Sequence, residues 1–392
     1  MRGVLLGVAA LELALLLALP APANPDKPGI LGGVRTAAAQ LRGAGPPVDL
    51  VQDYVGARRL ARGADAYPVL TTAFASVGLH WRAEHRSTHP PTAFLLVLPI
   101  AWLPWKTAAA VWAALMLVAI GGTWWALGVE PALAAVLAPL TLLWPPAAWS
   151  LGQLTPIWLL GLALAWRERR DSSRAGASVA LASLTKLLPA ISLVPFLVLG
   201  RQRVLRGFVA IWVIAAAAVA ILDPGVIRRY LSLARSVGDE QAARGENSAL
   251  LWAFDHHLGA AGLAAALLLV AVVLAASLRR LRSLGRIDEW TWCAWAWAGV
   301  ALLPIAWIYS LLPLLPALFL CLRRGGVVSR GLALFAVAVP FAIDPYGLPG
   351  AIWLAAATAS VGLSLLALER ATETAATGRR RHRPNAGLPQ DP

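Results

Sequence analysis

From Val4 to Leu368 the chain is a succession of apolar runs. Many approach or exceed the ~20 residues that an α-helix needs to cross a bilayer. That repetition decides the fold class. Only helices and closed barrels satisfy their backbone polar groups in lipid, and barrel strands alternate apolar and polar residues instead of running apolar. The expectation is therefore an all-α, polytopic membrane protein. Charged residues make up only 14% of the 392, against roughly 25% in soluble domains. The net charge of +14 is almost entirely arginine. In a soluble chain it would suggest nucleic acid. Here the arginines cluster between apolar runs, where they set topology, so no nucleic-acid partner is expected.

Short arginine-rich loops belong on the cytoplasmic side. They are RERRDSSR (167–174), RQRVLR (201–206), RRLRSLGR (279–286), LRRGGVVSR (322–330) and a tail with RRRHR (379–383). The first two leave only residues 175–200 between them, so the chain must go out and return within that stretch. An arm of about 12 residues reaches ~18 Å, short of a ~30 Å hydrocarbon core. The spacing predicts a pair of short helices broken near Lys186–Pro189, with Lys186 at the outer turn. A lysine at the bilayer centre would cost ~2.5–3.5 kcal/mol or more, which a solvated outer cavity avoids.

Parity places the other spans at 111–127, 131–149, 153–166, 208–222, 258–278, 290–305, 309–322, 332–343 and 352–368. Residues 92–103 form a short helix dipping into the outer leaflet. This gives about eleven transmembrane helices, plus juxtamembrane helices in two sizeable outer loops, 22–90 and 223–257. Residues 1–21 read either as a first transmembrane helix or signal-anchor, or as a cleaved secretory signal ending in Ala21-Pro22-Ala23. Residues 22–90 are the first extracytoplasmic loop, 91–370 the membrane domain, and 371–392 a disordered, basic cytoplasmic tail that associates with membrane lipids.

The cytoplasmic loops are too short to house chemistry, so attention falls on polar residues outside. In PPVDLVQDYVGARRLARGADAY (46–67), Pro46-Pro47 stop a helix and Asp49 starts another. Asp49, Asp53 and Gly56 then share a face, and Gly63 suits the exit. Asp49 is either an N-cap, with Asp53 paired to Arg58 or Arg59, or a general base for an acceptor hydroxyl. His89 sits at a stiff corner before Pro90-Pro91, either solvated or facing the site. Gln153 stands at the mouth of a helix, and Asn247 with Ser248 precedes another; capping is the bland role for each. Lys186 either snorkels to lipid headgroups or faces a substrate. Asp255-His256-His257 has no third ligand, so no metal is expected. Cys293 and Cys321 show no metal spacing and no disulfide framework. No Walker A, GxGxxG or HExxH stretch appears, and no cofactor is expected.

Together these stretches resemble the polyprenol-phosphate-mannose-dependent mannosyltransferases of glycosyltransferase family 87, which have the GT-C membrane fold. VDLVQDYVGARRLARGADAY is similar to the family's VDLxVYxxGAxALLxGxDLY, and HPPTAFLLVLPIAWLP to YPPxxxLLxxPLAxLP. GQLTPIWLL matches a GQ turn, TKLLP a K-(L/I)-x-P segment, and ENSALLWAF an NxS before an apolar stretch. The family commonly has an aromatic where Asp53 stands. Its late outer turn carries two histidines, replaced here by Tyr309 and Ser310 in LPIAWIYSLLPLLP. The resemblance implies a plasma-membrane hexosyltransferase, probing first as a mannosyltransferase, that acts at the extracytoplasmic face. The donor would be a polyprenyl-phosphate sugar and the acceptor a lipid-linked or cell-envelope glycan. Asp49 would be the catalytic base of an inverting reaction. Lys186, Asp53, His89, Gln153, Asn247 and Tyr309 would bind substrate, Lys186 beside the leaving phosphate. A transporter or flippase of lipid-linked sugars is the alternative; it predicts inverted repeats with a midplane site, and no self-similarity between halves is visible.

Overall fold

A computed structural model describes residues 2–20, 32–42, 48–144, 152–170, 172–242, 244, 247–342 and 348–381. All its regular elements are helices; the one β-pairing among the described residues is an isolated bridge between Val69 and Arg86. The chain opens with α1 (Arg2–Ala18) and the short helices α2 (Gly32–Leu41), α3 (Val48–Leu60), α4 (Leu70–Ser76) and α5 (Pro91–Val97). Then come α6 (Trp105–Ala126), α7 (Pro131–Thr141), α8 (Thr155–Arg167), α9 (Ser173–Thr185), α10 (Val194–Val198) and α11 (Gln202–Leu222). After α12 (Val226–Ala242) follow α13 (Leu250–Leu284), α14 (Glu289–Ala301), α15 (Leu315–Arg324), α16 (Val327–Ala342) and α17 (Leu348–Arg381).

Two interruptions organise the bundle. Helix α9 stops at Lys186, whose backbone is extended (φ −153°, ψ 142°). The chain then returns through a 3₁₀ turn, Leu188–Leu193, and the five-residue α10. A 3₁₀ turn rises ~2.0 Å per residue against ~1.5 Å in an α-helix, so it covers more depth with few residues. Pro189 and Pro195 stand at the starts of these two pieces, where a missing N–H costs little. The second interruption repeats the first: α14 ends near Ala301, and the 3₁₀ segment Ile308–Leu314 leads into α15. The break expected near Lys186–Pro189 is thus present.

Helices α8 and α9 form an antiparallel hairpin in which Gly161 faces Ser178 and Ala182. Arg169 and Arg170 follow α8 at the turning end of this hairpin. Arg169 lies within electrostatic reach of Arg286 and Glu289, and Glu289 pairs with Arg323 and Arg324 at 3.0 and 2.9 Å. Three of the arginine-rich turns therefore meet at one end of the bundle. Helices α9 and α11 run parallel and almost touch. A Cβ at Gly176 would lie 1.8 Å from the Val204 carbonyl oxygen, and one at Gly207 2.0 Å from that of Ser173. Small residues at such crossings are how membrane helices pack without a hydrophobic driving force. Helix α14 is buried along its length, with Trp290, Trp292, Trp295 and Trp297 all inside; a helix that is apolar all round belongs at a centre.

Among the described residues, four helical stretches are long and apolar enough to cross a membrane: Trp105–Ala126, Gln202–Leu222, Leu250–Leu284 and Gly350–Arg370. That is fewer than the eleven expected from parity, because several arms are cut short by prolines and 3₁₀ turns. The segment 223–257, expected as an outer loop, is largely helical, since α12 and the start of α13 lie within it. Helix α17 continues to Arg381, into the segment expected to be disordered. Its ERATETAATG stretch is rich in helix formers. The tail from 382 and the Ala21-Pro22-Ala23 stretch lie outside the described residues.

Candidate functional site

Helix α3 supplies the two carboxylates. Leu50, Val51, Tyr54, Ala57 and Leu60 are buried, and the missing side chain of Gly56 lets α5 approach: a Cβ there would lie 2.7 Å from the Phe94 ring. Tyr54 Oη donates to the Leu103 carbonyl at 2.6 Å, tying α3 to the entry of α6. Arg58 donates to Tyr54 Oη at 3.0 Å and Arg59 to the Asp65 carbonyl at 2.5 Å. Among the described residues neither arginine pairs with Asp53, so the expected surface pairing is replaced.

Asp53 is instead 1% exposed, and His89 Nδ1 lies 2.8 Å from its Oδ1. An ionised carboxylate only accepts, so the ring nitrogen is the donor. The corner carrying His89 is itself held: its N–H donates to Ser87 Oγ at 3.2 Å, and Tyr67 Oη donates to its carbonyl at 3.1 Å.

Asp49 lies in the first turn of α3, one residue after its start, so it is inside the helix and not its N-cap. Its Oδ2 accepts from Gln153 Nε2, a buried amide in the turn before α8. Burial pushes the Asp49 carboxyl up to about 6, helped by the negative charge of Asp53. His89, the Gln153 hydrogen bond and Lys186 pull the other way, and His89 is the strongest of these opposing influences. The environment of Asp49 thus gathers Asp53, His89, Gln153 and Lys186 from four separate stretches of sequence. A carboxylate of that basicity, half-buried at a helix start, suits general-base work near neutral pH.

Lys186 is half-buried where α9 breaks, and its Nζ lies 5.6 Å from the centroid of the Tyr309 ring. The two interrupted helix pairs therefore meet at this contact. Thr92 Oγ1 donates to the Leu184 carbonyl at 3.0 Å, locking α5 to the last turn of α9. Asn247 is fully buried and its amide is engaged with backbone. Nδ2 donates to the Pro304 carbonyl at 3.1 Å, and Oδ1 accepts from Ala249 and Ala306 N–H at 3.0 Å each. It clamps the turn that introduces Tyr309, so its service to the site is indirect. Within the hairpin, Gln153 and Lys186 stand at the end opposite the arginine turn. His256 stacks on Trp252 at 4.6 Å, and no group of three metal-capable side chains exists among the described residues. Tyr67, Ser87 and Thr92 were not singled out by sequence; as hydroxyl residues without a motif they give no signal before their partners are known.

The profile of glycosyltransferase family 87 matches residues 88–305, more than half of the chain. The chain belongs to glycosyltransferase family 87. The family match contains His89, Gln153, Lys186 and Asn247; Asp49 and Asp53 precede it and Tyr309 follows it. No curated protein and no solved structure matches the chain. Family 87 membership makes it a membrane glycosyltransferase, with a sugar donor and an acceptor as its substrates.

Proposed function

We propose that this chain is an inverting hexosyltransferase of GT-C type, working at the extracytoplasmic face of the plasma membrane. The donor is a hexose on polyprenyl phosphate, with mannose the first to test, and the acceptor is a lipid-linked or cell-envelope glycan. One observation carries the reading: a near-neutral carboxylate, Asp49, shares its surroundings with Lys186, at the hairpin end opposite the arginine-rich turns. A carboxylate and a cation so placed match the two demands of this transfer. The acceptor oxygen forms a bond to C1 of the sugar from the side opposite the phosphate. The C1–O bond breaks and its electron pair leaves with the phosphate, while the acceptor proton passes to Asp49. Lys186 offsets the charge that grows on the departing phosphate. Phosphate leaves without a general acid, so a single base suffices.

Purified protein given radiolabelled polyprenyl-phosphate mannose and a crude lipid extract should yield a labelled, extractable glycan with inverted anomeric configuration. Labelled donor that only crosses proteoliposome membranes, unconsumed, would mean a flippase instead.

A further inference from the structure

The buried Asp53–His89 pair calls for a function of its own. Its ring nitrogen and carboxylate are 2.8 Å apart, with side-chain exposures of 11% and 1%. The second oxygen of Asp53 has no hydrogen-bond partner among the described residues. A buried carboxylate held by one imidazole is costly unless that imidazole can carry charge for it. With Nδ1 committed to Asp53, the nitrogen left for other chemistry is Nε2. Three further holds restrict the corner: Ser87, Tyr67 and the two prolines after His89. Asp53 on α3 meets the Nδ1 of His89 and Tyr67 holds its carbonyl, while Asp49, one helical turn before Asp53 on the same face, feels the charge of His89 and, from the end of α9, that of Lys186.

We propose that Asp53 and His89 form the proton outlet of the transferase site: Asp53 is a positioning residue that fixes His89 as its Nδ1–H tautomer, and His89 Nε2 takes from Asp49 the proton that Asp49 removed from the acceptor. This rests on the function proposed above. Protons balance at each step. The acceptor O–H proton goes to the Asp49 carboxylate during transfer. The Asp49 carboxylic acid then gives it to Nε2, leaving Asp49 ionised and His89 an imidazolium beside the Asp53 carboxylate. The imidazolium then releases a proton to water, and the pair is reset. Asp53 acts through His89 and touches no substrate.

The test uses the full-length purified protein and the transfer assay. His89→Ala should lower kcat about 10²-fold, the low end for general acid–base steps, with KM for the donor nearly unchanged. Free imidazole in the assay should restore much of that loss. His89→Gln should stay low, because an amide hydrogen-bonds but does not accept the proton. Asp53→Asn should lower kcat similarly without imidazole rescue, because the ring is still present but wrongly oriented. In ¹⁵N-histidine spectra the His89 signal, found by its loss in His89→Gln, should show the Nδ1–H form in wild type and lose it in Asp53→Asn. Wild-type turnover by His89→Gln, or a folded His89→Ala that imidazole does not rescue, would overturn the outlet while leaving the transferase reading intact. A wild-type protein that transfers no sugar would remove both.

Discussion

Replacing Gly176 by alanine should damage a site about 15 Å away along the helix. Gly176 lies ten residues before Lys186, on the face of α9 that meets α11. An added Cβ would stand 1.8 Å from the Val204 carbonyl oxygen and 2.7 Å from the Phe208 nitrogen. Both are backbone atoms, so no rotamer change relieves the overlap; one helix must shift by more than an ångström. Overpacking of this kind costs ~1–3 kcal/mol. Helix α9 ends at Lys186 and is tied to α5 by the Thr92 hydrogen bond, so the shift is passed to the site. A displacement of ~1 Å at reacting groups can cost about 10²-fold in rate. The Gly176→Ala protein should therefore melt at a lower temperature in detergent, and its transfer rate, measured well below that melting point, should fall by about that factor. Gly331→Ala on α16 is the control, since nothing lies within 4 Å of its Cβ. A Gly176→Ala protein that melts and turns over like Gly331→Ala would refute the close α9–α11 crossing and its link to Lys186.

Other consequences are simpler to read. Because the Asp49 carboxyl is pushed up to about 6 and a base acts as the anion, kcat should be level above that pH. It should fall about tenfold per unit below it; a rate independent of pH between 5 and 7 would rule Asp49 out as the titrating base. Lys186→Met should weaken use of the lipid-phosphate donor at unchanged expression, and Lys186→Arg should keep part of the activity, since a cation remains with altered shape; equal turnover by Lys186→Met and wild type would leave only a snorkelling lysine. Cysteines placed at 187–190 should react with an impermeant thiol reagent from outside, and those at 170 and 203 should not; the reverse pattern would invert the topology.

Much of the arrangement was legible in the sequence, for reasons that differ by residue. The break at Lys186 follows from chain length alone, since two arginine-rich turns leave too few residues for two full spans. The shared face of Asp49, Asp53 and Gly56 follows from helical spacing after a proline pair. The meeting of Asp53 with His89 does not: 36 residues separate them, and nearby Arg58 and Arg59 offer a local alternative. Those arginines are taken by Tyr54 and the Asp65 carbonyl, choices fixed by packing that no local pattern encodes. Asn247 reads as a cap from its place before an apolar helix, and as a substrate residue only through the family resemblance. Its clamp on the 304–306 turn depends on a contact 57 residues away. Length alone does not fix the number of crossings, because a 3₁₀ turn and a proline shorten an arm without altering its apolar composition.

The central claim is that Asp49 is the base of a lipid-linked sugar transfer, and Asp49→Asn tests it most directly. Asparagine keeps the size and can still bond Gln153, but it does not accept the proton. With labelled polyprenyl-phosphate sugar and acceptor, turnover should fall about 10²–10⁴-fold while a photoactivatable donor analogue still crosslinks to the folded protein. An Asp49→Asn enzyme that transfers sugar at the wild-type rate would contradict the account.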